Sequence, residues 1–236
     1  MKRVFLALAV FSFFSASAQT ADDVIQKYTA NIGGIEGFNK IKTLKITGTY
    51  TTQGYDLPLT INIINNKAFR ADVEAMGTSI VRAYKDGKGW TINPMASGTA
   101  ATEVTGAELN SLKAQCMMVS GLMDYKARGH QVELQGQVDV EGVKTYKIKF
   151  TNKDDGKITY YYFTTSDYSM IKSESETEIQ GKKANIEVFF SDLKEFGGLK
   201  FFMTRTQKMD GEVFQTTTYT NIEINPTIDE KIFDKP

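Results

Sequence analysis

The chain has 236 residues, 41% of them hydrophobic and 24% charged, with 28 basic and 28 acidic side chains. That balance offers no basic stripe for a nucleic-acid backbone and no polybasic segment for an anionic membrane, so no nucleic-acid partner is expected. One cysteine, Cys116, and one histidine, His130, leave no intramolecular disulfide and little material for a metal centre or a nucleophile and its base.

Lys2 and Arg3, the apolar run Val4 to Phe14 and the small-residue site Ala16-Ser17-Ala18 read as a secretory signal peptide. Residues 1–18 are expected to be removed, with cleavage after Ala18 or after Gln19. The run is shorter than the ~20 residues that a membrane-spanning helix needs, and no second run of that length follows. No cysteine stands near the cleavage site to carry a lipid. The expectation is a soluble periplasmic protein, with residues 19–236 forming one domain and a basic-to-acidic balance of 26 against 28 once Lys2 and Arg3 are lost.

Ala21 to Asn31 places Val24, Ile25 and Tyr28, with Ile32 just beyond, at the spacing of one helical stripe. Asp22-Asp23 at its start suits the helix dipole and a cap. Gly33-Gly34 ends it, and a short second turn from Ile35 to Lys40 is anchored by Phe38 and Ile41.

From Thr43 to about Glu223 the sequence reads as roughly eleven stretches of period-two alternation. Leu44/Ile46/Tyr50, Leu57/Leu59/Ile61/Ile63, Phe69/Ala71/Val73, Val132/Leu134, Val138/Val140, Tyr146/Ile148/Phe150 and Leu199/Phe201/Met203 each occupy one side of a strand. Lys45/Thr47/Thr49/Thr51, Arg70/Asp72/Glu74 and Thr145/Lys147/Lys149 mark a solvated side. Arg70 falls there with Asp72, as a surface ion pair worth little. Trp90 follows a hairpin turn at Asp86-Gly87 and is expected in the barrel wall, with its ring available to a ligand. In Tyr160-Tyr161-Tyr162-Phe163 either the odd or the even pair points inward.

Between the strands, Thr105-Gly106-Ala107-Glu108 fits a capping box that opens a helix through Leu109, Leu112, Cys116, Met117, Met118, Val119, Leu122 and Met123, with Gly121 as its weak point. Cys116 reads as a small buried side chain. His130 reads as a solvated turn residue. The methionines have two readings, core filling and a pliable lid over an acyl-chain cavity. Asp154-Asp155-Gly156 is turn chemistry, and no H-E-x-x-H, C-x-x-C, P-loop, G-x-G-x-x-G or G-x-S-x-G pattern occurs, so no cofactor and no catalytic residue is assigned. Two short helical regions are too few to cover so many strands. The expected fold is mainly β with few helices (α+β): a single, strongly curved antiparallel sheet forming an incomplete barrel, capped by short helices and hollow on its apolar side.

The order of these pieces resembles the LolA-like outer-membrane lipoprotein-sorting family. A signal peptide, a short helix, strands leading to Lys67-Ala68-Phe69-Arg70, the hairpin Asp86 to Pro94 and a helix carry the first half of the resemblance. Gly142 to Ile148, the turn at Asp154-Asp155-Gly156, Tyr160 to Phe163, Phe190-Ser191-Asp192-Leu193, Gly197 to Phe201 and the close at Ile232-Phe233 carry the second. Where better-known carriers have a basic residue and a proline ahead of the aromatic, this chain has Lys67-Ala68. The resemblance implies a barrel closed by helices whose concavity holds acyl chains of a lipoprotein or another lipid. Its cavity and lid would be built from Ile46, Tyr50, Leu59, Ile61, Phe69, Trp90, Met117, Met118, Leu122, Met123, Ile148 and Phe201. The expected partner is a lipid or lipidated protein, with an envelope protein as a second possibility and the chain itself a monomer. Two other readings stand beside the carrier: a lipid-sensing or interaction module of the envelope, and an enzyme acting on lipid or glycan with carboxylates from separate strands.

Overall fold

The structure is a computed structural model that describes residues 19–96, 98–179 and 181–236; the expected signal peptide lies outside them. The chain begins with α1 (Ala21–Asn31) and α2 (Gly34–Asn39). Thr20 caps α1: its hydroxyl accepts from the Asp23 amide while the Asp23 carboxylate accepts from the Thr20 amide. Val24, Ile25 and Tyr28 form the buried stripe, and Phe38 and Ile41 anchor the second turn, as the spacing predicts.

Six strands follow as a meander: β1 (Thr43–Thr52), β2 (Tyr55–Ile64), β3 (Ala68–Ala75), β4 (Thr78–Lys85), β5 (Lys88–Asn93) and β6 (Gly98–Val104). A connector with α3 (Gly106–Gln115) and α4 (Tyr125–Arg128) leads to seven more: β7 (Gln131–Val140), β8 (Val143–Thr151), β9 (Ile158–Thr164), β10 (Met170–Ile179), β11 (Lys182–Phe196), β12 (Leu199–Met209) and β13 (Glu212–Ile224). All thirteen lie in one sheet, in the order 6-5-4-3-2-1-13-12-11-10-9-8-7. The pairings are antiparallel throughout, and β6 and β7 remain unpaired edges. The barrel is therefore incomplete, and the connector runs from one edge to the other.

Cross-strand partners share a face, so the register assigns the two sides. Leu44, Ile63, Phe69 and Tyr84 stand in one row on the concave side. They meet the buried faces of α1, α2 and the connector in a single core. On the far half of the sheet, Ile148, Tyr161 and Phe163 point the same way, with Phe163 against Tyr28 at a ring separation of 5.1 Å. At Gly48 the sheet bends: β13 carries an extra residue there, and a Cβ on Gly48 would stand 2.2 Å from the Thr218 carbonyl oxygen.

Four expectations are corrected. Thirteen strands form rather than about eleven, and Val132/Leu134 belong to the same strand as Val138/Val140. A bulge between Leu134 and Gln137 moves Val138 and Val140 to the convex face. The connector helix ends at Gln115 instead of running to Met123, because its onward backbone is taken by the β2–β3 turn. There, the Asn66 amide donates to the Cys116 carbonyl at 2.9 Å and the Met118 amide donates to Asn65 Oδ1 at 3.1 Å. No capping box forms at Thr105; Glu108 instead pairs with Arg82 at 3.1 Å.

The convex face has structure of its own. Trp90 is buried there with Val81 and Ala83, and its Nε1 donates to the Phe233 carbonyl at 3.0 Å. A C-terminal 3₁₀ turn, Glu230–Phe233, covers it. Arg70 is more than a surface pair: it donates to both Asp72 oxygens and to the Ile232 carbonyl, and lies over the Trp90 ring.

Candidate ligand-binding site

The core does not use the whole concave face. Its boundary on the first meander is the row Ile46, Ile61 and Ala71. Beyond that row the same face continues with Leu59, Val73 and Ile80, paired in register on β2, β3 and β4. On the other side of β1 and β13 it continues with Val188 and Ile186 of β11. These side chains lie outside the core cluster, and all but Leu59 are only half-buried. Between them the floor is more polar: Tyr50, Thr217, Arg205 and Phe190 form one row across β1, β13, β12 and β11. The Tyr50 hydroxyl donates to Gln215 Oε1 at 2.8 Å.

The connector closes the other end. Two cavities flank it, of about 600 and 540 Å³, both in the size range of small-molecule sites. The first lies between α1, α2 and α4, with Ile25, Ile35 and Met123 in its wall. The buried Thr29 hydroxyl lines it and has no hydrogen-bond partner. The second is floored by Leu122, Phe150 and Tyr161 and edged by Lys113, Arg128 and His130. Burial pushes the Tyr161 phenol up to about 12, so it stays neutral throughout the physiological range. Leu122 and Met123 thus separate two hollows with a single turn of chain.

Hydrogen bonds fix that turn at both ends. Arg128 donates to the Val119 carbonyl at 2.9 Å and sets Nη1 at 2.9 Å from the Met117 sulfur. His130 is half-buried rather than solvated, with Nδ1 accepting from the Lys153 amide at 3.1 Å. Asn65 bridges the Met118 amide and the Ile41 carbonyl. Asn65→Ala removes both links and should lower stability by about 1–2 kcal/mol. Amide hydrogen exchange should rise at residues 116–123 before it rises in the sheet, and uniform exchange across the chain would deny Asn65 this role.

Of the twelve residues expected at the site, Met117, Leu122 and Met123 line the two cavities. Ile46, Phe69 and Ile148 are buried in the core, and Met118 and Phe201 pack against it half-buried. Phe201 meets Phe38 edge-on at 5.7 Å. Tyr50 stands half-buried on the concave floor beyond the core, Leu59 is buried there, and Ile61 lies in the row at the core's boundary. Trp90 alone faces away, onto the convex side. Val73 falls on the apolar side of its strand outside the expected site, and Ile80, Val188 and Arg205 carry no sequence signal that marks them. The alternation that turns Phe201 and Met203 inward places Arg205 inward as well. Among the described residues no group of three or more His, Cys, Asp or Glu is placed to hold a metal, and no helix is long and apolar enough to cross a membrane.

No protein-family model and no curated protein matches the chain. Solved structures do. A LolA superfamily protein from Nitrosomonas europaea superposes with a TM-score of 0.59 at 13% identity, over 92% of this chain and 99% of the other. An outer membrane lipoprotein-sorting protein domain from Vibrio parahaemolyticus gives 0.60 at 9% identity, over 91% and 97%. The fold is LolA-like. At such identities the likeness concerns the path of the backbone, and the side chains of this LolA-like barrel must be read on their own terms.

Proposed function

We propose that the chain is a soluble periplasmic carrier that holds the acyl chains of a lipoprotein or another lipid in its concave face, acting as a monomer and without catalytic turnover. The observation that carries this reading is the apolar floor beyond the core, where Leu59, Val73, Ile80, Val188 and Ile186 lie outside the core cluster. A folded protein gains nothing from half-exposing so many aliphatic side chains on one concave surface, whereas an alkyl chain laid there gains about 0.8 kcal/mol for each buried CH₂. The two cavities beside Leu122 and Met123, at the connector end, offer further apolar walls. Carriage also requires release, and the connector, which is outside the sheet although packed on it through Leu112, Cys116, Val119 and Leu122, is the element that would have to move.

The direct test is to purify the exported protein from its native host without detergent, extract it with organic solvent and weigh the extract by mass spectrometry. A lipid or lipopeptide near one per protein is the expected result. An empty extract, together with failure to bind any fluorescent acyl probe, would sink the reading. Leu122→Asp sets a carboxylate between the two hollows and should weaken binding of an acyl probe by about tenfold or more, since an unpaired charge there must be desolvated by the ligand. The probe titration is read beside a circular dichroism spectrum, so that loss of fold is not taken for loss of affinity.

A further inference from the structure

Arg205 is a cation on the floor of the open concave surface; Arg82, in the row with Ala71, is spent on Glu108. Its neighbours in the row are Thr217, Tyr50 and Phe190, and next along β12 and β13 come Met203, Gln207, Gln215 and Tyr219. Ser173 and Ser175 of β10 face the same way. All of these are neutral. Among the described residues no carboxylate lies within ion-pair distance of the guanidinium, although Arg70, Arg82 and Arg128 each have one. Its Nε is buried and has no hydrogen-bond partner, and the group sits 5.6 Å from the centroid of the Phe190 ring.

A half-buried guanidinium with an orphaned donor is costly, and the fold supplies no counter-charge. Asp192, two residues along β11 from Phe190, pairs with Lys194 at 2.9 Å, and Glu174 and Glu187 point to the opposite face and are spent on Lys172. A planar fork of N–H donors is suited to a carboxylate or a phosphate. On either side of Arg205 lie aliphatic rows, Leu59, Val73 and Ile80 in one direction and Val188 and Ile186 in the other.

We infer that Arg205 binds the anionic head of an amphiphile whose alkyl chain lies on the apolar floor beside it. The inference rests on the carrier reading and narrows its cargo to lipids bearing a phosphate or carboxylate head. Phe190 holds the guanidinium in place through its ring face, and the Thr217 hydroxyl and Tyr50 stand in the same row to contact the head.

The test compares dodecyl phosphate, dodecanoate and dodecanol below their aggregation limits by isothermal titration calorimetry, with inorganic phosphate as a competitor. The wild type should bind both anions about tenfold more tightly than the alcohol, the gain expected of one charge-assisted contact. Arg205→Met should bring the three affinities together while leaving dodecanol nearly unchanged, and Arg205→Lys should keep part of the preference. Lys45→Met, which removes a charge from the convex face, should alter nothing. If Arg205→Met does not fold, the decision passes to Arg205→Lys and the wild-type ratio of anion to alcohol. Equal binding of acid and alcohol by the wild type, or a preference that survives Arg205→Met, would overturn the inference and leave the carrier reading standing. Displacement of the alkyl anions by millimolar inorganic phosphate would show a free-anion site and overturn the assignment to an amphiphile. If none of the three alkyl compounds binds, the carrier reading falls as well.

Discussion

Gly48→Ala is expected to destabilise the protein by about 3 kcal/mol or more, lowering the melting temperature by roughly 6–12 °C at the usual scaling for this chain length. Gly48 has no positive φ, so the cost is not conformational. It is steric: the added methyl group would stand 2.2 Å from the Thr218 carbonyl oxygen and 2.9 Å from the Tyr219 Cα, both backbone atoms of the strand it pairs with. A flexible side chain could swing aside, but β13 cannot without giving up the bulge at Thr220, whose hydroxyl donates to the Thr47 carbonyl. Gly54 is the contrast. It has a φ of +81° with nothing within 4 Å of the added atom, so its alanine variant should cost only the ~1–2 kcal/mol of a left-handed residue. Thermal melts of the two variants side by side make the check, and equal losses would show that the bend at Gly48 tolerates more than its geometry suggests.

Lys172→Met should cost about 2–3 kcal/mol and weaken the acid response of stability. On the convex face the Lys172 ammonium, with its side chain 12% exposed, is shared between Glu174 at 3.1 Å and Glu187. Tyr162 donates to Glu174 at 2.8 Å and lies under the ammonium. Burial works to raise the Glu174 carboxyl, but the hydrogen bonds from Tyr162 and Lys172 outweigh it and hold the pKa below its ordinary value. Burial likewise works to lower Lys172, and its bonds to Glu187 and Glu174 outweigh that, so its pKa is raised. In the wild type the Glu174 contribution is therefore present above the unfolded carboxylate pKa and is lost as pH falls through the lower, folded one. The Lys172 contribution is present below the unfolded lysine pKa and is lost as pH rises through the folded one. Methionine removes the Lys172 hydrogen bond and charge that help hold Glu174 down and leaves the Tyr162 hydrogen bond and Lys147 to oppose burial. The Glu174 pKa should then rise toward its unfolded value, and its contribution lost on acidification should shrink. Urea unfolding at neutral pH and near pH 4.5 is the measurement: the variant should lose less stability than the wild type on acidification. A parallel pair of curves would mean that solvent already screens the cluster.

Much of the sheet is legible in the sequence because a strand wetted on one side must alternate, and the inward sets on β1, β2, β3, β8 and β12 follow that rule. The strands that do not announce themselves are those with no apolar side to show. Gly98–Val104 is an edge with little to bury, and Met170–Ile179 carries Ser173, Ser175 and Thr177 inward against Lys172, Glu174 and Glu176 outward. The helix from Leu109 to Met123 fails for a tertiary reason. Its spacing is helical to the end, but Asn65 and Asn66, about fifty residues upstream, take the backbone groups that the next turn would need. Trp90 is on the outer face because residues 230–233 fold back over it, which no local pattern around Trp90 encodes. Met117, Leu122 and Met123, picked out by their apolar spacing, line the two cavities beside the connector. Arg205 is passed over because a cation in a strand of threonines and lysines looks like ordinary surface.

The order of strands also dictates how the chain must assemble. Every neighbouring pair is a simple hairpin except one, β1 with β13, whose partners such as Leu44 and Ile224 lie at opposite ends of the chain. Each meander is built from local contacts and can form early, whereas the seam between them closes a loop of some 180 residues and is expected to come late and slowly. A nascent chain emerging N-terminus first has β1 long before β13 exists. Until the last strand arrives, β1, an interior strand of the finished sheet, is a naked edge carrying Leu44, Ile46 and Tyr50, open to pairing with the wrong chain. Truncation at the C-terminus therefore does more than shorten the protein: it leaves the N-terminal half with an adhesive border in place of a middle.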